Sequence, residues 1–194
     1  RDRHILFMSD LTKQALIASF KKLLETEPFD KITISDITND CGLSRQTFYY
    51  HFRDIFDMIR WIYNSESLNE IGGRGGYGTW QDKIRELFDY TLNNKSLILG
   101  TFNSKCRNDL VGYYMDVSIR KISDIVEMKS DGDIAEKDKK FIASVYAYAF
   151  VGIMVDWISD GMKESSEEMV DRVYKIVMSN FDRTLAAFRQ PRLY

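Results

Sequence analysis

The sequence predicts an all-α protein with two helical parts. Apolar residues recur at helical spacing through nearly all of the 194 residues, and no segment shows the sustained alternation of a half-buried strand. Only two prolines occur, Pro28 and Pro191, so long helices can run without interruption. We expect an N-terminal unit of three helices over residues 1–54 and a helical C-terminal unit over residues 55–194.

The first two predicted helices have recognisable start and stop signals. The first helix follows Ser9 or Asp10, either of which can cap it, and Pro28 ends it. The second helix starts after Thr33, and Asp36 lies three residues further on, which resembles a capping box.

Two more helices follow across a sharp turn. Gly42 suits the left-handed conformation that ends the second helix, and Ser44 caps a third helix that reaches His51 or Phe52. Asp54 caps a fourth helix, whose apolar stripe consists of Ile55, Met58, Ile59, Ile62 and Tyr63. Two short helices joined through residues 41–44 have the dimensions of a helix-turn-helix.

A glycine-rich stretch, GGRGGYG at residues 72–78, interrupts the helical pattern. We interpret it as a flexible loop, because a phosphate-binding loop would need a preceding strand and a Lys-Ser/Thr ending. After it, further helices are predicted at roughly 79–93, 95–104, 107–128, 136–161 and 166–189. The last two are the longest and the most apolar on one side.

Composition narrows the class of protein. The net charge is −2, and residues 1–60 hold nine Lys/Arg and nine Asp/Glu, so any affinity for nucleic acid must come from local placement of charge. We interpret Cys41 and Cys106 as small buried side chains rather than redox sensors, and with two histidines no metal site is expected. The apolar run at 145–155 is too short to span a membrane, and no secretory signal is seen, so we expect a cytoplasmic protein without membrane association.

The third predicted helix has two chemically different faces. Each residue turns the helix by about 100°, which places Phe48 and Phe52 on one side, where they can pack on the first helix. Gln46 and Tyr50 point nearly opposite, and Arg45 lies nearer the buried edge but reaches outward from the first turn. A solvated polar face with incidental tyrosines is the plain alternative, although adjacent exposed tyrosines without a partner are uncommon.

An outward face of amide, hydroxyl and phenol groups suits a helix in the major groove of DNA. Arg45 can read guanine through two hydrogen bonds, and Gln46 can read adenine or act through water. The side chains suited to contacts with the phosphate backbone are Thr33, Tyr49, Tyr50 and His51. For His51, a structural hydrogen bond explains the residue nearly as well.

The segment FDKITISDITNDCGLSRQTFYYHFRDIFDMI, residues 29–59, closely resembles the DNA-binding signature of TetR/AcrR-family transcriptional regulators. The resemblance implies an all-helical dimer whose three N-terminal helices bind a palindromic operator. It also implies that the C-terminal helices form a ligand-binding core and a dimer interface. The positions that match operator contacts are Thr33, Arg45, Gln46, Thr47, Tyr49, Tyr50 and His51, and we add the cap residue Ser44 as a DNA-binding candidate. Arg53-Asp54 departs from the lysine-rich pair that is common there, but Arg53 keeps a cation.

The segment DKKFIASVYAYAFVGIMVDWISDGMKESSEEMV, residues 138–170, resembles a narrower subgroup that includes the dihydroxyacetone-kinase operon regulator. Some members of that subgroup are activators that work with a protein co-regulator rather than with a small molecule. The resemblance covers the fold of the C-terminal part and leaves the effector open.

The last two predicted helices carry more apolar surface than one helix pair can bury. Two such helices from each of two chains would form a four-helix bundle, whereas a monomer core is the alternative. The candidate dimer-interface residues are Val145, Tyr148, Gly152, Val155, Val173, Val177 and Phe181. The candidate ligand-pocket residues are Phe88, Phe102, Tyr113, Tyr114, Met115 and Trp157, and for each one ordinary core packing is the competing interpretation.

These patterns predict a dimeric, sequence-specific regulator of transcription, with repression that an effector relieves. Activation with a protein co-regulator is the alternative that the subgroup suggests, and a protein-interaction module with little DNA binding is an alternative from another class. The expected partners are double-stranded operator DNA, a second copy of the chain, and an unidentified small-molecule effector or protein co-regulator. No cofactor motif or catalytic constellation stands out, so an enzyme is not expected.

Overall fold

The computed structural model describes residues 2–69, 80–130 and 132–189, and in those ranges the chain forms α-helices and one 3-10 turn but no strand. The helices are α1 (Asp2–Leu23), α2 (Ile34–Asp40), α3 (Arg45–His51), α4 (Ile55–Asn69), α5 (Trp80–Asn93), α6 (Lys95–Phe102), α7 (Arg107–Ser130), α8 (Glu136–Ser159) and α9 (Ser166–Phe188). The 3-10 turn, Phe29–Lys31, lies between α1 and α2. The all-α prediction is confirmed. The predicted glycine-rich loop at 72–78 lies outside the described residues.

The first helix differs from its prediction at both ends. It begins at Asp2, so Ser9 and Asp10 lie inside it instead of capping it. Residues 2–8 contain neither proline nor glycine, so nothing in them stops a helix. It ends at Leu23, before Pro28, where the backbone N–H groups of Thr26 and Glu27 both donate to the carbonyl of Leu23 and close a turn.

The predicted caps are confirmed for the three helices that follow. Thr33 and Asp36 form a complete capping box at the start of α2. Ser44 accepts a hydrogen bond from the backbone of Thr47, and Asp54 accepts one from the backbone of Asp57 at 2.7 Å. Gly42 has a φ of 68°, the left-handed conformation that the turn requires.

The chain packs as two compact units. The first contains α1 to α4 together with Asn94–Leu110, which includes α6 and the first turn of α7. The second contains α5, α8, α9 and the remainder of α7. By packing, α4 therefore belongs with the three N-terminal helices. The boundary between residues 54 and 55 remains a prediction about where two functional domains meet.

The core of the first unit fixes α2 and α3 against α1. Its fully buried side chains include Leu16, Phe20, Ile37, Phe48, Met58 and Ile59. The Ser19 hydroxyl donates to the carbonyl of Ile37 at 2.8 Å, which fastens α2 to α1 inside the core. The prediction that Phe48 and Phe52 pack inward is confirmed, because both side chains are buried.

The helix α6 joins the first unit through close contacts. A Cβ added to Gly100 would lie 2.9 Å from the ring of Phe29, so α6 approaches the 3-10 turn as closely as only a glycine allows. The Tyr63 hydroxyl on α4 donates to Thr101 Oγ1 on α6 at 2.9 Å. These contacts explain why the segment after α5 packs with the N-terminal helices.

The second unit is held by apolar packing between its long helices. Both α5 and α8 pack against α9. One buried cluster contains Ile122, Val126, Ile134, Ile142, Ala143, Ala147, Phe181 and Leu185. Among the described helices, α8 alone is long and apolar enough to cross a membrane, by length and composition only. A core helix of a water-soluble protein passes the same test, and the buried face of α8 contributes three residues to this cluster.

Candidate nucleic-acid interface

The helix α3 presents one buried face and one exposed face. Phe48 is fully buried and Phe52 nearly so, whereas the Tyr50 side chain is 81% exposed and that of Tyr49 is 52% exposed. The rings of Phe48 and Phe52 lie 5.7 Å apart, so they pack on each other as well as on the core. The helix is therefore anchored by its phenylalanines, and its tyrosines face outward.

The first turn of α3 combines a cap with two exposed polar side chains. Ser44 Oγ accepts a hydrogen bond from the backbone N–H of Thr47 at 3.0 Å and lies 2.9 Å from Thr47 Oγ1. The two hydroxyls therefore hold the start of the helix. Arg45 and Gln46 are both exposed, and Arg45 makes no ion pair with any residue that the structure describes. Both side chains therefore face solvent at the start of α3.

The last turn of α3 brings Tyr50 and His51 together. Their ring centroids lie 5.0 Å apart in an edge-to-face arrangement, and His51 is half-buried. Burial lowers the pKa of His51 below its usual value, and the positive charge of Lys13 lowers it further, while Asp10 opposes the shift. At pH 7 the imidazole is therefore neutral, and one of its ring nitrogens carries a proton that it can donate to a hydrogen bond.

Thr33 stands at the start of α2, and its hydroxyl already has a partner. Thr33 Oγ1 and the Thr33 backbone N–H donate to Asp36 Oδ2 at 2.6 and 2.8 Å. These bonds hold the pKa of Asp36 below its usual value, the side-chain bond being the larger cause. A phosphate would have to share the Thr33 hydroxyl with this carboxylate.

The turn between α2 and α3 sets the direction of α3. The Leu43 backbone N–H donates to the carbonyl of Thr38 at 2.9 Å, which draws the turn back onto α2. Lys22 on α1 forms an ion pair with Asp40 at the end of α2. The two short helices and α1 thus form one body from which the polar face of α3 projects.

Asp57, in the first turn of α4, was not among the residues predicted from the sequence, and it contacts the segment that follows α3. Asp57 accepts hydrogen bonds from the backbone and the guanidinium of Arg53, the second residue after α3. The four-residue spacing between Arg53 and Asp57 is only a weak signal for such a pair, because Arg53 lies before the start of α4 and outside the helix.

Five of the six ligand-pocket candidates are buried and Met115 is half-buried, and the six fall into two groups. Phe102 belongs to the first unit, where the Arg107 guanidinium lies over its ring. In the second unit, the Phe88 ring lies edge-to-face with Trp157, at 5.1 Å between centroids, and Tyr114 shares a 2.7 Å hydrogen bond with Thr91. Tyr113 lies against Tyr114, and Met115 packs against the buried cluster of the second unit. Core packing accounts for these contacts, and a ligand-binding role for the six residues remains a prediction.

The dimer-interface candidates divide into exposed and buried residues. On α8, Val145, Tyr148 and Gly152 are exposed and Val155 is half-buried. On α9, Val177 is half-buried, whereas Val173 and Phe181 are buried within their own chain, which covers them from a partner. Two further apolar side chains, Phe141 and Ile176, are exposed at 60% and 66%. In the described part of the chain, three of the eight exposed large apolar side chains lie on α8, namely Phe141, Val145 and Tyr148.

A capped, two-faced α3 held against α2 and α1 defines the class of helix-turn-helix DNA-binding proteins. Residues 16–60 match the family model described as bacterial regulatory proteins, tetR family. Residues 78–179, more than half of the chain, match the model described as transcriptional regulator C-terminal region, TetR_C_8. The chain belongs to the TetR family of transcriptional regulators.

The similarity to several known proteins covers most of the chain. The HTH-type dhaKLM operon transcriptional activator DhaS of Lactococcus lactis subsp. lactis (strain IL1403) is 24% identical over 173 residues, which cover 88% of this chain and 91% of the relative. The solved structure of the dihydroxyacetone kinase operon activator DhaS matches with a TM-score of 0.75 and 21% identity, covering 92% of this chain and 98% of that one. The TetR-family repressor AlkX from Dietzia sp. strain DQ12-45-1b matches with a TM-score of 0.54 and 17% identity over 93% of this chain and 99% of that one.

These findings confirm the predicted family, the resemblance to the dihydroxyacetone-kinase operon regulator, and the predicted role as a DNA-binding regulator of transcription. Members of the TetR family bind operator DNA and act as dimers, and repression is typical of them. The individual DNA-contacting, pocket and interface residues remain predictions.

Proposed function

We propose that the chain binds a palindromic operator as a homodimer, with α3 of each copy in the major groove. The observation that carries this proposal is the exposure of Gln46, Tyr49 and Tyr50 on a helix that Phe48 and Phe52 anchor in the core. A helix with this arrangement offers polar side chains to DNA without weakening its own packing.

The roles of the side chains follow from where each one lies. Arg45 and Gln46, in the first turn, are the residues that read base edges, because the N-terminal part of a recognition helix enters the groove. Tyr49, Tyr50 and His51 contact the phosphate backbone, together with Thr33. Ser44 and Thr47 set the start of the helix through their paired hydroxyls and contact a phosphate from there.

Selection of duplexes from a random-sequence library by the full-length chain tests this proposal. We expect enrichment of a palindrome, with binding that weakens steeply as salt increases, because phosphate contacts release counterions. Arg45→Ala should lower affinity for the selected duplex by about 1–3 kcal/mol and relax one position in each half-site. Enrichment of no sequence at low salt would favour a protein-interaction module with little DNA binding.

The exposed apolar face of α8 is the surface on which we place the dimer contact. Phe141, Val145, Tyr148 and Gly152 follow one another at helical spacing, and no atom lies within 4 Å of the point that a Cβ on Gly152 would occupy. A self-complementary patch of this kind can pair with a second copy about a twofold axis. Because residues 1–60 carry balanced charge, each copy binds DNA weakly, and two linked copies gain affinity through effective concentration.

Repression relieved by an effector is the first expectation for the sign of regulation, since it is typical of the family. Activation is the second candidate, and the similarity to DhaS, which is named an operon activator, favours it. A reporter gene placed behind the selected operator separates the two. Deletion of the regulator gene raises reporter expression if the protein represses, and lowers it if the protein activates.

The effector is either a small molecule in the second unit or a protein co-regulator. A small molecule in the second unit would have to contact or displace three aromatic rings, those of Phe88, Trp157 and Tyr114. We place the protein in the cytoplasm, where the chromosome is accessible, and we assign it no enzymatic activity and no cofactor.

A further inference from the structure

One carboxylate holds the residue that follows α3 at two points. The backbone N–H of Arg53 donates to Asp57 Oδ2 at 3.1 Å, and Arg53 Nη2 donates to Asp57 Oδ1 at 3.2 Å. The first of these bonds is the main reason that the pKa of Asp57 lies below its usual value, so the carboxylate is ionised at neutral pH. Both the backbone and the guanidinium of Arg53 are therefore fixed to the first turn of α4.

The guanidinium of Arg53 stays accessible despite this pairing. Its side chain is 83% exposed, and the described bonds use one of the five side-chain donors that arginine carries. It follows the last turn of α3 directly after Phe52. An arginine that is held in one orientation and keeps unused N–H donors is well suited to binding a phosphate.

A second arginine shares the same carboxylate. Arg60 Nη2 lies 3.8 Å from Asp57 Oδ1, and Arg60 Nη1 lies 3.7 Å from Asp109 Oδ2. Arg60 therefore lies between the carboxylates of Asp57 and Asp109, at ion-pair distance from each. Arg53 is closer, since its guanidinium is within hydrogen-bonding distance of Asp57. With two cations around it, Asp57 repels a nearby phosphate less than an unpaired carboxylate would.

We propose that Asp57 is a positioning residue for DNA binding, which holds Arg53 where its guanidinium binds an operator phosphate beyond the end of α3. The proposal rests on the operator binding proposed above and adds a contact that α3 itself does not supply. For the effect of removing the Asp57 charge on DNA binding, the proposal and simple electrostatics predict opposite signs. Removing a negative charge near DNA ordinarily strengthens binding, whereas removing a positioning carboxylate weakens it.

The decisive comparison is between Asp57→Asn and Asp54→Asn in the full-length chain. Both remove one negative charge near Arg53, but Asp54 only caps α4, a role that asparagine fills equally well. Using the selected operator duplex, we expect Asp57→Asn to weaken binding by roughly 2- to 10-fold, the cost of ordering one long side chain. Asp54→Asn should leave binding unchanged or strengthen it, and Asp57→Glu should restore part of the loss.

Two further measurements separate positioning from a general loss of structure. Arg53→Ala should reduce the slope of log affinity against log salt by about 0.9, the effect of one lost phosphate contact. In the Arg53→Ala background, Asp57→Asn should no longer weaken binding. An unchanged slope in Arg53→Ala overturns the inference, as does an Asp57→Asn variant that binds at least as tightly as the parent chain. If the parent chain itself selects no duplex, the proposed function fails instead.

Discussion

At the scale of single residues, neighbouring side chains of the helix α3 differ sharply in burial. Phe48 is fully buried, and Tyr50, two positions further on, is 81% exposed. We expect Phe48→Ala to lower the free energy of unfolding by about 3–5 kcal/mol, because it removes a core ring. Tyr50→Ala should leave unfolding nearly unchanged and weaken operator binding. Urea unfolding and anisotropy titrations on both variants check this, and a loss of stability in Tyr50→Ala would contradict the assignment.

We expect His51 to make the stability of the folded chain depend on pH. Burial and Lys13 lower its pKa in the folded chain, so between the folded and unfolded pKa values only the unfolded chain binds the proton. The stability that the neutral imidazole contributes is full above about pH 6.5 and is lost as the pH falls through the folded pKa. We expect His51→Gln to lose less stability than the parent chain between pH 7.5 and 5.5. Equal losses in thermal unfolding would show that His51 does not titrate in this range.

At the scale of elements, two helical glycines should respond to alanine with opposite signs. A Cβ on Gly100 of α6 would lie 2.9–3.2 Å from three atoms of Phe29, whereas nothing lies within 4 Å of one on Gly112 of α7. We expect Gly100→Ala to destabilise by about 1–3 kcal/mol through overpacking. Gly112→Ala should stabilise by about 0.5–1 kcal/mol, because alanine is the better helix former. Chemical denaturation of both variants tests this. If Gly100→Ala leaves the free energy of unfolding unchanged, the 3-10 turn must shift to make room for the added methyl group.

The same elements show which parts of the fold could be predicted from the sequence. The caps Thr33, Ser44 and Asp54 were predictable because a cap depends on residues within one turn of it. The two faces of α3 follow from helical period alone. The packing of α6 on the 3-10 turn was not predictable, because the contact between Gly100 and Phe29 joins residues about 70 positions apart in the chain. Short-range patterns carry no signal for such a contact.

In the candidate site, too, local features could be predicted from the sequence, whereas contacts with other parts of the chain could not. The outward positions of Gln46 and Tyr50 were predictable from their angle around the helix. The sequence placed Val173 and Phe181 on a dimer surface, yet both are buried in the second unit, because an apolar stripe does not say which neighbour covers it. The pairing of Asp57 with Arg53 has the right spacing, but many pairs with that spacing on protein surfaces form no contact.

At the scale of the whole molecule, the proposed regulation needs two copies that bind DNA together. Because the charge of residues 1–60 is balanced, we expect one copy to bind weakly and the affinity for a palindrome to come from linkage. Four of the exposed large apolar side chains in the described part of the chain lie on the last two helices: Phe141, Val145, Tyr148 and Ile176. The three on α8 lie on successive turns, and exposed apolar side chains grouped in this way are typical of an interface.

The substitution Tyr148→Asp tests whether α8 makes that link. Tyr148 is 66% exposed, so the change removes little packing within one chain but places a charge against its counterpart at a twofold contact. We expect sedimentation to show a monomer and affinity for the palindrome to fall by about 10²–10⁴, with binding to a single half-site unchanged. Met128→Asp on α7 is the matched control, because Met128 is 73% exposed and lies outside the α8 face, and it should remain dimeric. A Tyr148→Asp chain that still sediments as a dimer would place the contact elsewhere on the molecule.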